Sequence, residues 1–170
     1  MPEPGWRLPG GIVAASLSPD GRKLASVHVD GTLHVADARD GRAPISSSRV
    51  TGPFTDVVHA PDGRTLVTTG EDGIVRIWDA GTLELAAELR GHIQSVWSVA
   101  FSPDGRRFLT GGHGREAVKL WDPTDRAEVG TLAGEGARFY RVRFSLDGRF
   151  VGAVSRGGNL HLWEADPPGP

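Results

Sequence analysis

Apolar and polar residues alternate with a period of two through Val96-Trp97-Ser98-Val99-Ala100-Phe101, the pattern of a strand with one buried face. The run stops at Ser102-Pro103-Asp104-Gly105, whose proline and glycine suit a tight turn, and a second short apolar run follows from Arg107 to Gly111. Together they predict a β-hairpin. After a further Gly-containing turn, a third run ends at Trp121-Asp122. The second run has counterparts at Lys23 to Val27, Thr65 to Thr69 and Phe150 to Val154. A fourth strand is predicted at Glu84 to Leu89 and at Glu128 to Leu132. Taken alone, Leu83 to Arg90 would pass for a helical turn, and its place in the unit is what favours a strand.

The unit repeats. Asp-Gly recurs at Asp20-Gly21, Asp62-Gly63, Asp104-Gly105 and Asp147-Gly148, with spacings of 42, 42 and 43 residues. A second landmark keeps the same period at Ala36-Asp37, Trp78-Asp79, Trp121-Asp122 and Trp163-Glu164. The organisation that follows is an N-terminal segment at 1–10, repeats at 11–52, 53–94, 95–136 and 137–165, and a tail at 166–170. The last repeat meets Asp-Pro-Pro-Gly-Pro where its outermost strand should be, and Gly5-Trp6-Arg7-Leu8 precedes the first innermost strand as an outermost strand would. That segment could complete the last sheet of its own chain or of another copy.

Composition narrows the picture. The 24 Gly and 12 Pro are spread between short apolar runs, which favours an all-β chain. A net charge of −2 gives no overall basic field, so nucleic acid is not an expected partner. With no Cys, disulfides, thiolate metal sites and cysteine nucleophiles are excluded. No run approaches the roughly 20 apolar residues of a membrane span, so no membrane association is expected and a cytoplasmic location is.

With Gly91-His92, Phe101-Ser102-Pro103-Asp104-Gly105 and Leu120-Trp121-Asp122 at a period near 42, the chain resembles the WD-repeat β-propeller family over about residues 11–165. The resemblance implies four four-stranded antiparallel sheets per chain, packed radially as propeller blades. It also implies a hydrogen-bonded set within each blade: a His after Gly, a Ser or Thr in the second strand, an Asp in the next turn, and the Trp. No repeat has all four. The second offers Thr68, Asp72 and Trp78 but Val50 for the His, and the third offers His92, Thr110 and Trp121 but Gly114 or Arg115 for the Asp. The first has Ser26 and Asp30 with Ala36 for the Trp, and the fourth has Trp163 with Ala153 and Gly157. Blades of this kind should lean on apolar packing, with modest stability. Four blades leave three architectures open: a closed four-bladed ring, half of an eight-bladed ring shared by a homodimer, or a partial propeller.

Catalytic chemistry finds no support in the residues. The six His form no His-x-His or His-Glu-x-x-His spacing, and the acidic residues fall mostly in the hairpin turns. No metal site, cofactor or catalytic residue is expected. His34 and His161 share a phase with Arg76 and Lys119, which is expected to be a solvated polar face of the third strand. His59 is expected to be partly buried and satisfied.

Resemblance to the family places a binding surface at the narrow end of the propeller. By phase it comprises Gly11 and Val13, Pro53 and Thr55, Ser95 and Trp97, and Arg138 and Tyr140, with Val29, Glu71 and Arg156 from the adjacent turns. Trp97, Tyr140, Arg138 and Arg156 are residue types enriched at interface hot spots and would suit an acidic or peptide-like partner. Trp97 and Tyr140 could instead pack between blades. The expected function is a non-enzymatic protein-interaction scaffold, or the sensor part of a larger bacterial-type assembly. Its alternatives are a degenerate propeller that associates only with itself and, third, a channel-type enzyme.

Overall fold

A computed structural model describes residues 10–39, 45–46, 50, 52–114, 118–132 and 138–165, and among these there are fifteen strands and no helix. β1 (Ile12–Leu17), β2 (Lys23–His28), β3 (Leu33–Asp37) and β4 (Ile45–Ser46) form the first sheet in chain order. β5 (Phe54–His59), β6 (Thr65–Gly70), β7 (Ile74–Asp79) and β8 (Leu85–Arg90) form the second. β9 (Val96–Phe101), β10 (Phe108–Gly112), β11 (Val118–Asp122) and β12 (Ala127–Leu132) form the third. The fourth has three described strands, β13 (Phe139–Phe144), β14 (Phe150–Ser155) and β15 (Leu160–Glu164). Every pairing is antiparallel between consecutive strands, as propeller blades require. The Trp6 segment expected to act as a closing strand lies outside the described residues.

The Asp-Gly landmarks are the turns between the first and second strands. In the third blade the Ser102 hydroxyl donates to Asp104 Oδ1 at 2.6 Å, and the same oxygen accepts from the Arg106 amide at 3.0 Å. Ser18–Asp20 and Ser145–Asp147 repeat this at 2.6 Å, while the second blade has Ala60 in the Ser position. Gly105 follows with φ +71°, a left-handed conformation that a residue with a side chain resists.

The blades pack through three apolar layers. Ala25, Val27, Leu33 and Val35 of the first meet Phe54, Val57, Leu66 and Trp78 of the second. Val67, Val75 and Ile77 meet Val96, Val99, Phe108 and Trp121 of the third, and Leu109 and Val118 meet Phe139, Val142 and Val151 of the fourth. Each layer therefore joins the second and third strands of one blade to the first strand, second strand and Trp position of the next. Polar contacts run alongside. The amides of His59, Val99 and Val142 donate to Ser16 Oγ, Asp56 Oδ2 and Ser98 Oγ of the preceding blade. At the hairpin end, Gly63, Gly105 and Gly148 lie against Pro19, Pro61 and Pro103 of the blade before.

Innermost strands adjoin in the order β1, β5, β9, β13, and no comparable contact joins β13 back to β1. The described blades thus form an open arc, with the first and fourth each presenting one face that no described blade covers.

Candidate functional site

Each innermost strand carries a β-bulge near its start. Ile12 pairs with His28 and Ala14 with Val27, so Val13 is left without a partner in the second strand. The same irregularity leaves out Thr55, Trp97 and Tyr140 in the next three blades. A bulge re-aims its extra residue and ends regular pairing locally, which is why these four positions depart from the in-and-out alternation of their strands. Trp97 and Tyr140 are 36% and 47% exposed, so neither ring is enclosed between blades.

Neighbouring turns complete the surface. The Trp97 ring lies 6.1 Å from that of His113, whose Nδ1 is 2.9 Å from Gln94 Oε1. His113 bridges to Arg138 as an isolated antiparallel pair, and the Arg156 amide donates to the Arg138 carbonyl at 2.8 Å. Burial, with Arg138 and Arg156 nearby, holds the His113 pKa below the usual imidazole range. The other positions expected at this end are spread around it. Gly11, Val29, Pro53 and Glu71 are exposed, and Ser95 donates to the Glu71 carbonyl at 3.0 Å. The half-buried Thr55 hydroxyl is held between Thr69 Oγ1 and the Val96 carbonyl, so it is a joint between the second and third blades.

Below this rim the four innermost strands line a cleft of about 660 Å³ that includes Asp56, His59, Trp97, Tyr140, Arg141 and Arg143. The Asp56 carboxylate accepts the amides of Val57 at 2.9 Å and Val99 at 3.0 Å. Its burial outweighs those bonds and the fields of Arg143 and Arg141, so its pKa stands above the ordinary carboxylate value. Among the described residues no carboxylate comes within ion-pair distance of Arg138, Arg141, Arg143 or Arg156. The fourth blade thus brings Arg141, Arg143 and Tyr140 to the cleft, while Arg138 and Arg156 stand near His113 beside it. Sequence reasoning missed Asp56, Arg141 and Arg143. Their signal was available: charges at innermost-strand positions where other blades carry Ala14, Ser98, Val58 or Ala100.

The residues expected to hold the blades together sit inside them. Trp78 Nε1 donates to Thr68 Oγ1 at 2.9 Å. In the third blade Trp121 Nε1 donates to Thr110 Oγ1 at 2.7 Å, and His92 Nε2 lies 2.6 Å from the same oxygen. His92 Nδ1 is buried with no hydrogen-bond partner, the consequence of the missing Asp, and burial pushes the pKa down to about 4. Asp72, lacking a His to accept from, binds Arg76 at 2.7 Å. Trp163 stacks on His161 at 5.7 Å between ring centroids.

Two expectations need correction. The phase of His34, Arg76, Lys119 and His161 is not a solvated face: Arg76 is buried and bridges Asp72 and Glu88, and Lys119 is buried against Glu128 at 2.8 Å. The outermost strand lies over this phase and supplies the counter-charge, which a period-two reading of the third strand alone could not reveal. His59 is buried as expected but incompletely satisfied, with Nδ1 3.4 Å from Ser16 Oγ and Nε2 unpartnered.

The family model described as WD domain, G-beta repeat matches residues 45–79 and 83–122. Each match begins on the outermost strand of one blade or the approach to it and ends at the Asp after the Trp of the next sheet's or the following blade's third strand, so the sequence repeat is staggered against the blade. Comparison with curated proteins gives no match.

Proposed function

The chain belongs to the WD-repeat family, and from that premise we propose that it is a non-enzymatic interaction scaffold binding an acidic protein or peptide at the end where its innermost strands begin. WD repeats generally mediate protein–protein interaction, which supports the scaffold reading. The observation that carries the choice of face is that two bulged aromatic residues, Trp97 and Tyr140, line one cleft with Arg141 and Arg143, with Arg138 and Arg156 near His113 beside Trp97 and, among the described residues, without an ion-pair partner. Aromatic rings offer large contact area at small entropic cost, and guanidinium groups form two-pronged bonds with carboxylates. The net charge of the whole chain is −2, so the attraction is local to this face.

A fluorescently labelled glutamate-rich peptide titrated with the protein tests the reading by anisotropy. Trp97→Ala and Tyr140→Ala should each weaken binding about tenfold or more, the scale of a hot-spot truncation, while leaving the β-sheet circular dichroism intact. Arg138→Glu with Arg141→Glu should weaken it further and flatten its dependence on salt. Equal affinity for the peptide in all these variants, or no binding by the parent protein, would refute the assignment of this face.

A further inference from the structure

The two open ends of the arc carry the two halves of a joint that the chain builds three times. On the fourth blade, Leu160 and Leu162 occupy the positions of Leu33 and Val35, Val75 and Ile77, and Val118 and Leu120. Leu33, Val75 and Val118 are fully buried against a following blade, whereas Leu160 is 70% exposed. On the first blade, Ile12 and Leu17 occupy the positions of Phe54 and His59, both buried against a preceding blade, yet they are 42% and 59% exposed. The hairpin contact is split in the same way. Leu146 stands where Pro19, Pro61 and Pro103 receive a glycine and is fully exposed, while Gly21 has nothing within 4 Å.

We propose that these faces belong to one interface, formed between two copies of the chain: the fourth blade of each packs on the first blade of the other. The occupant follows from continuity with the interior joints: in each of the three, the third-strand face of one blade meets a first-strand face with a glycine at its hairpin, and the chain carries one further face of each kind that no described blade covers. Two arcs related by a two-fold axis use both faces at both junctions and leave none open, a closed cyclic arrangement. Eight blades lie within the range that propellers adopt. Burial of the exposed leucines and Ile12 supplies the apolar drive. This pairing does not depend on what the cleft binds.

Light scattering over a wide concentration range reads the pairing directly. The parent chain should give twice its 18.1 kDa. Leu160→Lys and Ile12→Asp, each at an exposed position of a different face, should separately halve that mass while leaving the circular dichroism unchanged. Mixed in equal amounts they should recover the doubled mass, because one junction of the mixed pair is unaltered and the other joins Lys to Asp. Leu162→Asp provides a second fourth-blade variant should Leu160→Lys fold poorly. A parent chain of single mass throughout, a larger open-ended series, or variants that stay paired alone or single when mixed would each overturn the proposal.

Discussion

Thr110 Oγ1 sits between two ring nitrogens, and a hydroxyl can serve both only by accepting from Trp121 and sharing its remaining capacity with His92. Replacing it with the isosteric Val leaves both nitrogens buried and unpaired. Thr110→Val should therefore cost about 3 kcal/mol of unfolding free energy, against about 1.5 kcal/mol for Thr68→Val, which orphans Trp78 alone; urea midpoints of the two variants give the comparison. The depressed pKa of His92 has a definite sign. Between about 4 and its ordinary value of 6.5 the unfolded chain binds a proton that the folded chain refuses, so stability is full above that window and falls as pH drops through it. The loss reaches about 3 kcal/mol for His92, and the His34, His59 and His113 shifts, all downward with burial as the first cause, act in the same sense. Urea midpoints at pH 7 and pH 4.5 should differ strongly in the parent and much less in His92→Gln. Such residue-level features were partly legible. The absent Asp of the third repeat showed in the sequence, and the orphaned Nδ1 of His92 is its physical consequence.

At the scale of elements, the hairpin turns obey one rule with one exception. Ser18, Ser102 and Ser145 each donate to the turn Asp two residues on, which holds the pKa values of Asp20, Asp104 and Asp147 below the usual range, while Ala60 has no hydroxyl to offer Asp62. Ala60 is as buried as Ser18 and Ser102, so Ala60→Ser fits without repacking and should stabilise the protein by about 1 kcal/mol, read as a raised urea midpoint. Turns and inner strands were legible because their chemistry is local: Pro and Gly set the backbone, and alternation sets the face. The outermost strands were harder. Leu85–Arg90 has a helix-compatible pattern, and only its ladder with Ile74–Asp79 decides the matter. The burial of Arg76 and Lys119 was illegible for the same reason, since it arises from Glu88 and Glu128 one strand away. The bulges that turn Trp97 and Tyr140 outward also left no local mark, because a one-residue slip in pairing involves the partner strand.

At the scale of the molecule, each described blade makes its main contacts with its neighbours, so the fold is a chain of similar joints and its ends are its distinctive places. The period near 42 residues made the blades legible, but periodicity says how units repeat and is silent on how an arc closes; exposure of Leu160, Leu146 and Ile12 is what distinguishes the ends. The crowding of Arg138, Arg141, Arg143 and Arg156 into the fourth blade has a further meaning in a paired ring. In such a ring the two-fold axis would run through its centre, so the arginines of both copies would open on the same face, on opposite sides of it. Such a face would be bivalent. A partner with two acidic segments long enough to reach both clusters would be held by avidity, the second contact forming at the high local concentration set by the first, whereas a partner with one segment would exchange freely.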